Sequence, residues 1–144
     1  MTGQRQGDIL ALKWSDIRDN AIHLQQSKTG KRLAIELSTD LKKILGKCAA
    51  LPCQKKREYV LITRNGTRYT SDGFRALWQR TMRKWMRRIK GERFTFHDLR
   101  ALCATKCGSP EIAMHLLGHQ AIGMTLKVYR RGVERVQPLQ LPER

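Results

Sequence analysis

Acidic residues are scarce in this chain: 12 Asp and Glu stand against 29 Lys and Arg, a formal net charge of +17 at pH 7. No apolar run approaches the roughly 20 residues that a membrane-crossing helix needs. No charged-then-apolar leader with a small-residue cleavage site opens the chain, so a cytoplasmic protein is expected. Cysteine is sparse, and Cys48, Cys53, Cys103 and Cys107 lack the ligand spacing of a zinc knuckle or ribbon. Reduced, partly buried thiols are expected, with no metal and no cofactor. Internal repeats and low-complexity segments are also missing.

What remains is a chain of 144 residues, long enough for one domain with its own core, and 40% apolar. A chain with this charge surplus typically meets a polyanion, and nucleic acid is the commonest one. The plainer alternative is a basic, solvated surface with no dedicated partner.

Ile9, Leu10, Leu12 and Trp14 suggest a short apolar helix ending near Ser15-Asp16-Ile17. Ile22-His23-Leu24 and Leu33-Ala34-Ile35-Glu36-Leu37 alternate on either side of Ser27-Lys28-Thr29-Gly30-Lys31, the pattern of a hairpin around a glycine-containing turn. Ser38, Thr39 or Asp40 can cap a helix running toward Ala49. Tyr59-Val60-Leu61-Ile62 reads as a short strand stopped by Asn65-Gly66. Ser71-Asp72 then caps the longest helix, about Gly73 to Ile89. In it Phe74, Leu77, Trp78, Met82, Trp85 and Ile89 form a stripe expected to be core. The arginines of that helix, among them Arg83 and Arg87, fall mostly outside the stripe, where solvation and phosphate contact are both open. A helix from Phe94 to Lys106 follows, then one opened by Pro110 and closed by Gly118, then a short helix from Ala121 to Tyr129. The expected fold is mainly α-helical with a small antiparallel sheet of about three strands, from the hairpin and the Tyr59 segment.

The residues that carry chemistry are concentrated late. His97 and Arg100 stand three apart on one helix face, Leu117-Gly118-His119 follows, and Tyr129 comes after it. Upstream lie Thr2-Gly3-Gln4-Arg5 with Asp8, Leu12-Lys13-Trp14-Ser15-Asp16-Ile17, and Ser27-Lys28-Thr29-Gly30-Lys31-Arg32. Together and in this order these segments resemble the catalytic domain of the tyrosine recombinases, or phage integrases, over nearly the whole chain. The tail from Val128-Tyr129-Arg130-Arg131 to Pro138-Leu139 is most similar to the phage-type members.

The resemblance implies a site-specific recombinase acting on double-stranded DNA in a bacterial or phage-infected cell. Tyr129 would be the nucleophile, giving a 3′-phosphotyrosyl link and a free 5′-hydroxyl. Arg5 and Arg100 would hold the non-bridging oxygens with their planar forks. His97 would act as general base or share that task, and His119 would donate a hydrogen bond to the phosphate. Lys28 would protonate the leaving 5′-oxygen, with Lys31 its rival for the role. Asp8 would steady the arginine cluster. Lys31, Arg32, Arg83 and Arg87 are the candidate DNA-backbone contacts. The phosphotyrosine preserves the bond energy, so neither ATP nor metal is implied. His23 and His115 have no motif around them and read as structural.

Three features depart from the family pattern. The interval from Arg100 to His119 is shorter than usual. That from His119 to Tyr129 is one residue longer, turning the phenol by about 100° on a helix unless a bulge absorbs it. The chain also begins almost at Arg5, so residues 1–144 correspond to a catalytic domain without its first helix or the amino-terminal core-binding domain. Full-length members assemble as tetramers on DNA. The alternative readings are a non-catalytic DNA-binding module or degenerate integrase remnant, and a type IB topoisomerase, which shares the chemistry.

Overall fold

The computed structural model describes residues 2–53, 57–119, 123, 125 and 126; Tyr129 and most of the helix expected around it lie outside them. Helix α1 (Gln6–Ala11) leads through a 3-10 turn (Trp14–Asp16) into strands β1 (Ile17–Arg18), β2 (Ala21–Gln25) and β3 (Arg32–Glu36). Four helices follow: α2 (Thr39–Ala49), α3 (Ser71–Ile89), α4 (Phe96–Thr105) and α5 (Pro110–Leu117). The fold is thus mainly helical with a three-stranded antiparallel sheet ordered β1-β2-β3.

The hairpin forms where the alternation places it, with Ala21 opposite Glu36 and Gln25 opposite Arg32. Its turn is closed by Gln26 N–H on Lys31 O (2.9 Å) and Gly30 N–H on Gln26 O (2.8 Å). The third strand differs from expectation. Ile17–Arg18 supplies it, pairing with Ala21 and Ile22, whereas Tyr59 and Ile62 make only isolated bridges to Lys13 and Arg68. The same pairing cuts the first helix short. Trp14 N–H donates to Glu58 O and Val60 N–H to Leu12 O, so residues 12–14 leave the helix to meet the 58–60 segment.

Leu12, Ile22 and Val60 pack with Leu41 and Leu45 of α2 into the main core, and Ala104, Ala113 and Leu117 form a second cluster between α4 and α5. Ser38 caps α2. Thr70, one residue ahead of the expected Ser71-Asp72, caps α3 by accepting from Gly73 N–H. Of the α3 stripe only Met82 is buried, and Phe74, Leu77 and Trp78 are half-buried. Phe74 and Trp78 meet Phe96 edge-on, and Trp78 also meets Phe94. Trp85 is 40% and Ile89 51% exposed, because no described element covers the last turns. Phe94 stays outside α4, where its carbonyl accepts from Trp78 Nε1 at 3.3 Å. Among the described residues no helix is long and apolar enough to cross a membrane.

Candidate active site

Local chemistry sets the start of α4. Thr95 Oγ1 accepts from Asp98 N–H while Asp98 Oδ2 accepts from Thr95 N–H at 2.8 Å, a reciprocal capping box. The box fixes the first turn, so His97 and Arg100, three residues apart, point to one side. His97 stays exposed at the rim, whereas Arg100 is 6% exposed. At the other end of the pair, Ser109 and Pro110 start α5, and Gly118 ends it in the left-handed region (φ +66°). That turn returns His119 to Arg100 across the short connection, with Nη2 of Arg100 3.2 Å from His119 Nε2.

An open cleft of about 410 Å³ is lined by Arg5, Lys28, His97 and Arg100, with Gln4, Gln6, Gly7 and Phe96 completing it. The structure therefore brings together four candidates from three distant segments. Arg5 is the N-cap residue of α1, Lys28 sits in the hairpin turn, and His97 and Arg100 come from α4. His119 joins through Arg100. Lys31 is instead part of a separate groove between β3 and α5, beside Ile112 and Leu116. Arg32 opens β3, and Arg83 and Arg87 are exposed on α3; none of these three lines the cleft. Tyr129 lies outside the described residues.

Arg100 is held by backbone as well as facing the cleft. Nη1 donates to Gly3 O and Nη2 donates to Leu117 O at 2.7 Å. Burial, reinforced by the neighbouring charge of Arg5 and partly opposed by Asp8, pushes its pKa down to about 10, so it remains a cation at neutral pH. Among the described residues no carboxylate ion-pairs with Arg5 or Arg100. Two guanidinium groups brought together without a paired anion form a ready anion site.

Asp8 acts mainly on the hairpin. Its Oδ1 accepts from Ser27 N–H (3.0 Å) and Ser27 Oγ–H (2.7 Å), tying α1 to the residue before Lys28. Its charge favours the cationic form of Arg100, yet Oδ2 is buried without a hydrogen bond.

Arginine has no acceptor, so His119 Nε2 must accept from Arg100, and Nδ1–H then donates to Thr125 Oγ1 at 2.8 Å. Burial first, then Arg100, Arg5 and Lys31, lowers the imidazole pKa below its ordinary 6.5. The unfolded chain then takes up a proton at pH values where the folded chain does not, so this group's stabilisation is complete above about 6.5 and declines as pH falls below it. Urea midpoints at pH 7.5 and 5.5 check this: the acid-side drop is expected to be smaller in His119→Gln than in the unsubstituted chain.

Sequence reasoning missed Gln26 and Gln4, both buried at the back of the cleft. Gln26 Oε1 accepts from Arg5 Nη1 at 3.0 Å and from Thr29 Oγ1 at 2.8 Å. Its Nε2 donates to Gln4 Oε1 and Leu117 O, both at 2.8 Å. Gln4 Nε2 in turn donates to Leu116 O at 2.7 Å. The available signal was strand parity: Ile22, Leu24 and Gln26 share a face.

Residues 1–134 match the model of the Phage integrase family. The integrase of Escherichia phage lambda is 33% identical over 131 residues, covering 84% of this chain and 36% of that protein. The chain thus spans about a third of the length of the curated relatives it matches. The structure of the lambda integrase catalytic core superposes with a TM-score of 0.61 at 34% identity, over 82% of this chain and 73% of that one. A lambda integrase tetramer bound to a Holliday junction gives a TM-score of 0.69 at 32% identity, over 94% of this chain and 42% of that one. The cluster of Arg5, Lys28, His97, Arg100 and His119 therefore sits in a fold shared with integrases, and the chain belongs to the phage integrase family as a homologue of the lambda integrase catalytic domain.

Proposed function

We propose that the chain cleaves and rejoins one strand of double-stranded DNA through a 3′-phosphotyrosyl intermediate. The observation that carries this reading is the cleft in which Arg5, Lys28, His97 and Arg100 meet, with no carboxylate among the described residues paired to either arginine. A scissile phosphate supplies the missing anion. Arg5 and Arg100 donate to its non-bridging oxygens, most strongly in the pentavalent transition state where negative charge accumulates. Tyr129 Oη attacks phosphorus and its proton passes to His97. The bond to the 5′-oxygen breaks, and Lys28 gives that oxygen a proton, leaving a 5′-hydroxyl. Once an oxygen of the phosphate takes Nη2 of Arg100, His119 Nε2 is released, and the other neutral tautomer, with Nδ1 accepting from Thr125 Oγ1–H, makes Nε2–H a further donor to phosphate. Rejoining runs the same steps backward, with no cofactor.

Outside the cleft, Lys31, Arg32, Arg83 and Arg87 contact the DNA backbone, and tetramers on DNA are the proposed assembly of the complete recombinase. A plot of log affinity against log salt is expected to be steep. Each of these four side chains removed lowers its slope by about 1 if it neutralises one phosphate.

The test uses a pool of nicked duplexes randomised through the central sequence, so that cleavage next to the nick traps the adduct. A protease-sensitive covalent product is expected, absent with Tyr129→Phe. An adduct that persists in that variant overturns the nucleophile assignment. Salt-sensitive binding with no adduct at all overturns the catalytic reading in favour of a DNA-binding module without cleavage, the reading that the +17 charge alone also fits.

A further inference from the structure

We propose that Gln26 is a positioning residue that sets the spacing of the two arginine forks, an inference that rests on the phosphate-site reading above. The two guanidinium groups are joined by one continuous path. Arg5 Nη1 donates to Gln26 Oε1, Gln26 Nε2 donates to Leu117 O, and Arg100 Nη2 donates to that same carbonyl. Both lone pairs of Oε1 and both hydrogens of Nε2 are used, since Thr29 and Gln4 take the remaining two. The backbone of Gln26 is equally committed, as its N–H and carbonyl close the hairpin turn. The side chain is 0% exposed, so water cannot substitute for any lost partner. It also packs so tightly against Gly118 that no β-carbon fits there. One amide thus registers the turn carrying Lys28, the fork of Arg5 and the corner carrying His119.

The amide suits this task because it is neutral. A carboxylate here would orient Arg5 equally well but would pair with its charge and compete with the phosphate. An amide carbonyl takes one arm of the guanidinium and leaves the cation available. Gln26 touches no reacting atom; it acts through Arg5.

The experiment compares Gln26→Met, Arg5→Lys and the double variant of the 144-residue chain. The substrate is a single nicked duplex recovered from the pool. Misplacing a fork by about 1 Å costs on the order of 100-fold in rate, so Gln26→Met is expected to slow single-turnover adduct formation by that order. Its Kd for the duplex is expected to stay within about 3-fold, because the many backbone contacts are untouched. In the Arg5→Lys background, where no fork remains to be aimed, the same substitution is expected to slow the reaction less than about 3-fold further. Equal losses in both backgrounds, or an unchanged rate in the Arg5 background, overturn the proposal.

A second measurement needs no catalysis. Inorganic sulfate is expected to raise the melting temperature of the unsubstituted chain and to do so much less for Gln26→Met. Loss of that effect supports the positioning role even where no adduct forms, so failure of the catalytic reading is separable. Where Gln26→Met does not melt cooperatively, Gln26→Glu replaces it. Its sulfate effect is expected to be absent at pH 8, because the introduced carboxylate pairs with Arg5 in place of the anion. Folded Gln26→Met or Gln26→Glu with an undiminished sulfate effect at pH 8 overturns the proposal.

Discussion

Arg100→Lys is expected to abolish covalent adduct formation, by about 1,000-fold or more, and to lower stability as well, although the substitution keeps the formal charge. Arg100 makes three separate contacts from one planar group, to Gly3 O, Leu117 O and His119. An ammonium on a shorter reach cannot span them. At least one buried carbonyl is left unpaired, at a cost of about 1–3 kcal/mol. The electrostatics act in the same direction. The surroundings that push arginine down to about 10 act on a group with a margin to spare. Lysine starts near 10.4 and has none, so its buried ammonium loses the proton in mildly alkaline solution. Residual activity in Arg100→Lys, taken relative to Arg100→Met at the same pH, is therefore expected to fall as pH rises from 7 to 9. Thermal melts and single-turnover capture across that range test both parts. Wild-type activity in Arg100→Lys would mean that charge alone, and not the fork, serves the phosphate.

The sequence made the site legible where the signals are local. Thr95 and Asp98 announce the start of α4, Pro110 and Gly118 bracket α5, and alternation around Ser27–Gly30 gives the hairpin. Each depends on a few neighbouring residues, and tertiary packing did not override them. The shortened interval between Arg100 and His119 still closes, because a tight left-handed turn at Gly118 brings the imidazole back onto the guanidinium. The third strand was not legible, since two residues, Ile17 and Arg18, carry no period. The exposed end of α3 was not legible either. Trp85 and Ile89 complete a convincing stripe, and a stripe says which face is apolar, not whether anything covers it. Gln26 shows the other limit. A glutamine at the end of a strand reads as a surface residue, and only its parity with Ile22 and Leu24 hints that it turns inward. Its partners, Gln4 and Leu117, are 22 and 91 residues away. Asp8 falls between these cases: the resemblance set it beside the arginines, and its charge acts on Arg100, but its two hydrogen bonds to Ser27 had no sequence signal.

Gly118→Ala is expected to destabilise the domain by about 3–5 kcal/mol, a large part of the total for a domain of this size. Two effects combine. A non-glycine residue in the left-handed region costs roughly 1–2 kcal/mol, and Gly118 has φ +66°. In addition, a β-carbon there would lie 2.6 Å from the amide oxygen and nitrogen of Gln26. Gln26 has no room to withdraw, because retreat breaks its bonds to Leu117 O, Gln4 and Arg5, each worth about 1 kcal/mol. The two contributions separate experimentally. Gly108 has φ +79° with nothing within 4 Å of a β-carbon, so Gly108→Ala reports the backbone cost alone and is expected near 1 kcal/mol. Gly118→Asn relieves part of the backbone cost, because asparagine tolerates this conformation, but keeps the clash. It is expected to remain nearly as damaging as Gly118→Ala in urea titrations, and to lose adduct formation with it. A stable Gly118→Asn would mean that the turn needs only a left-handed residue. Loss in both variants with a mild Gly108→Ala means that the amide behind the arginines requires the missing side chain at Gly118.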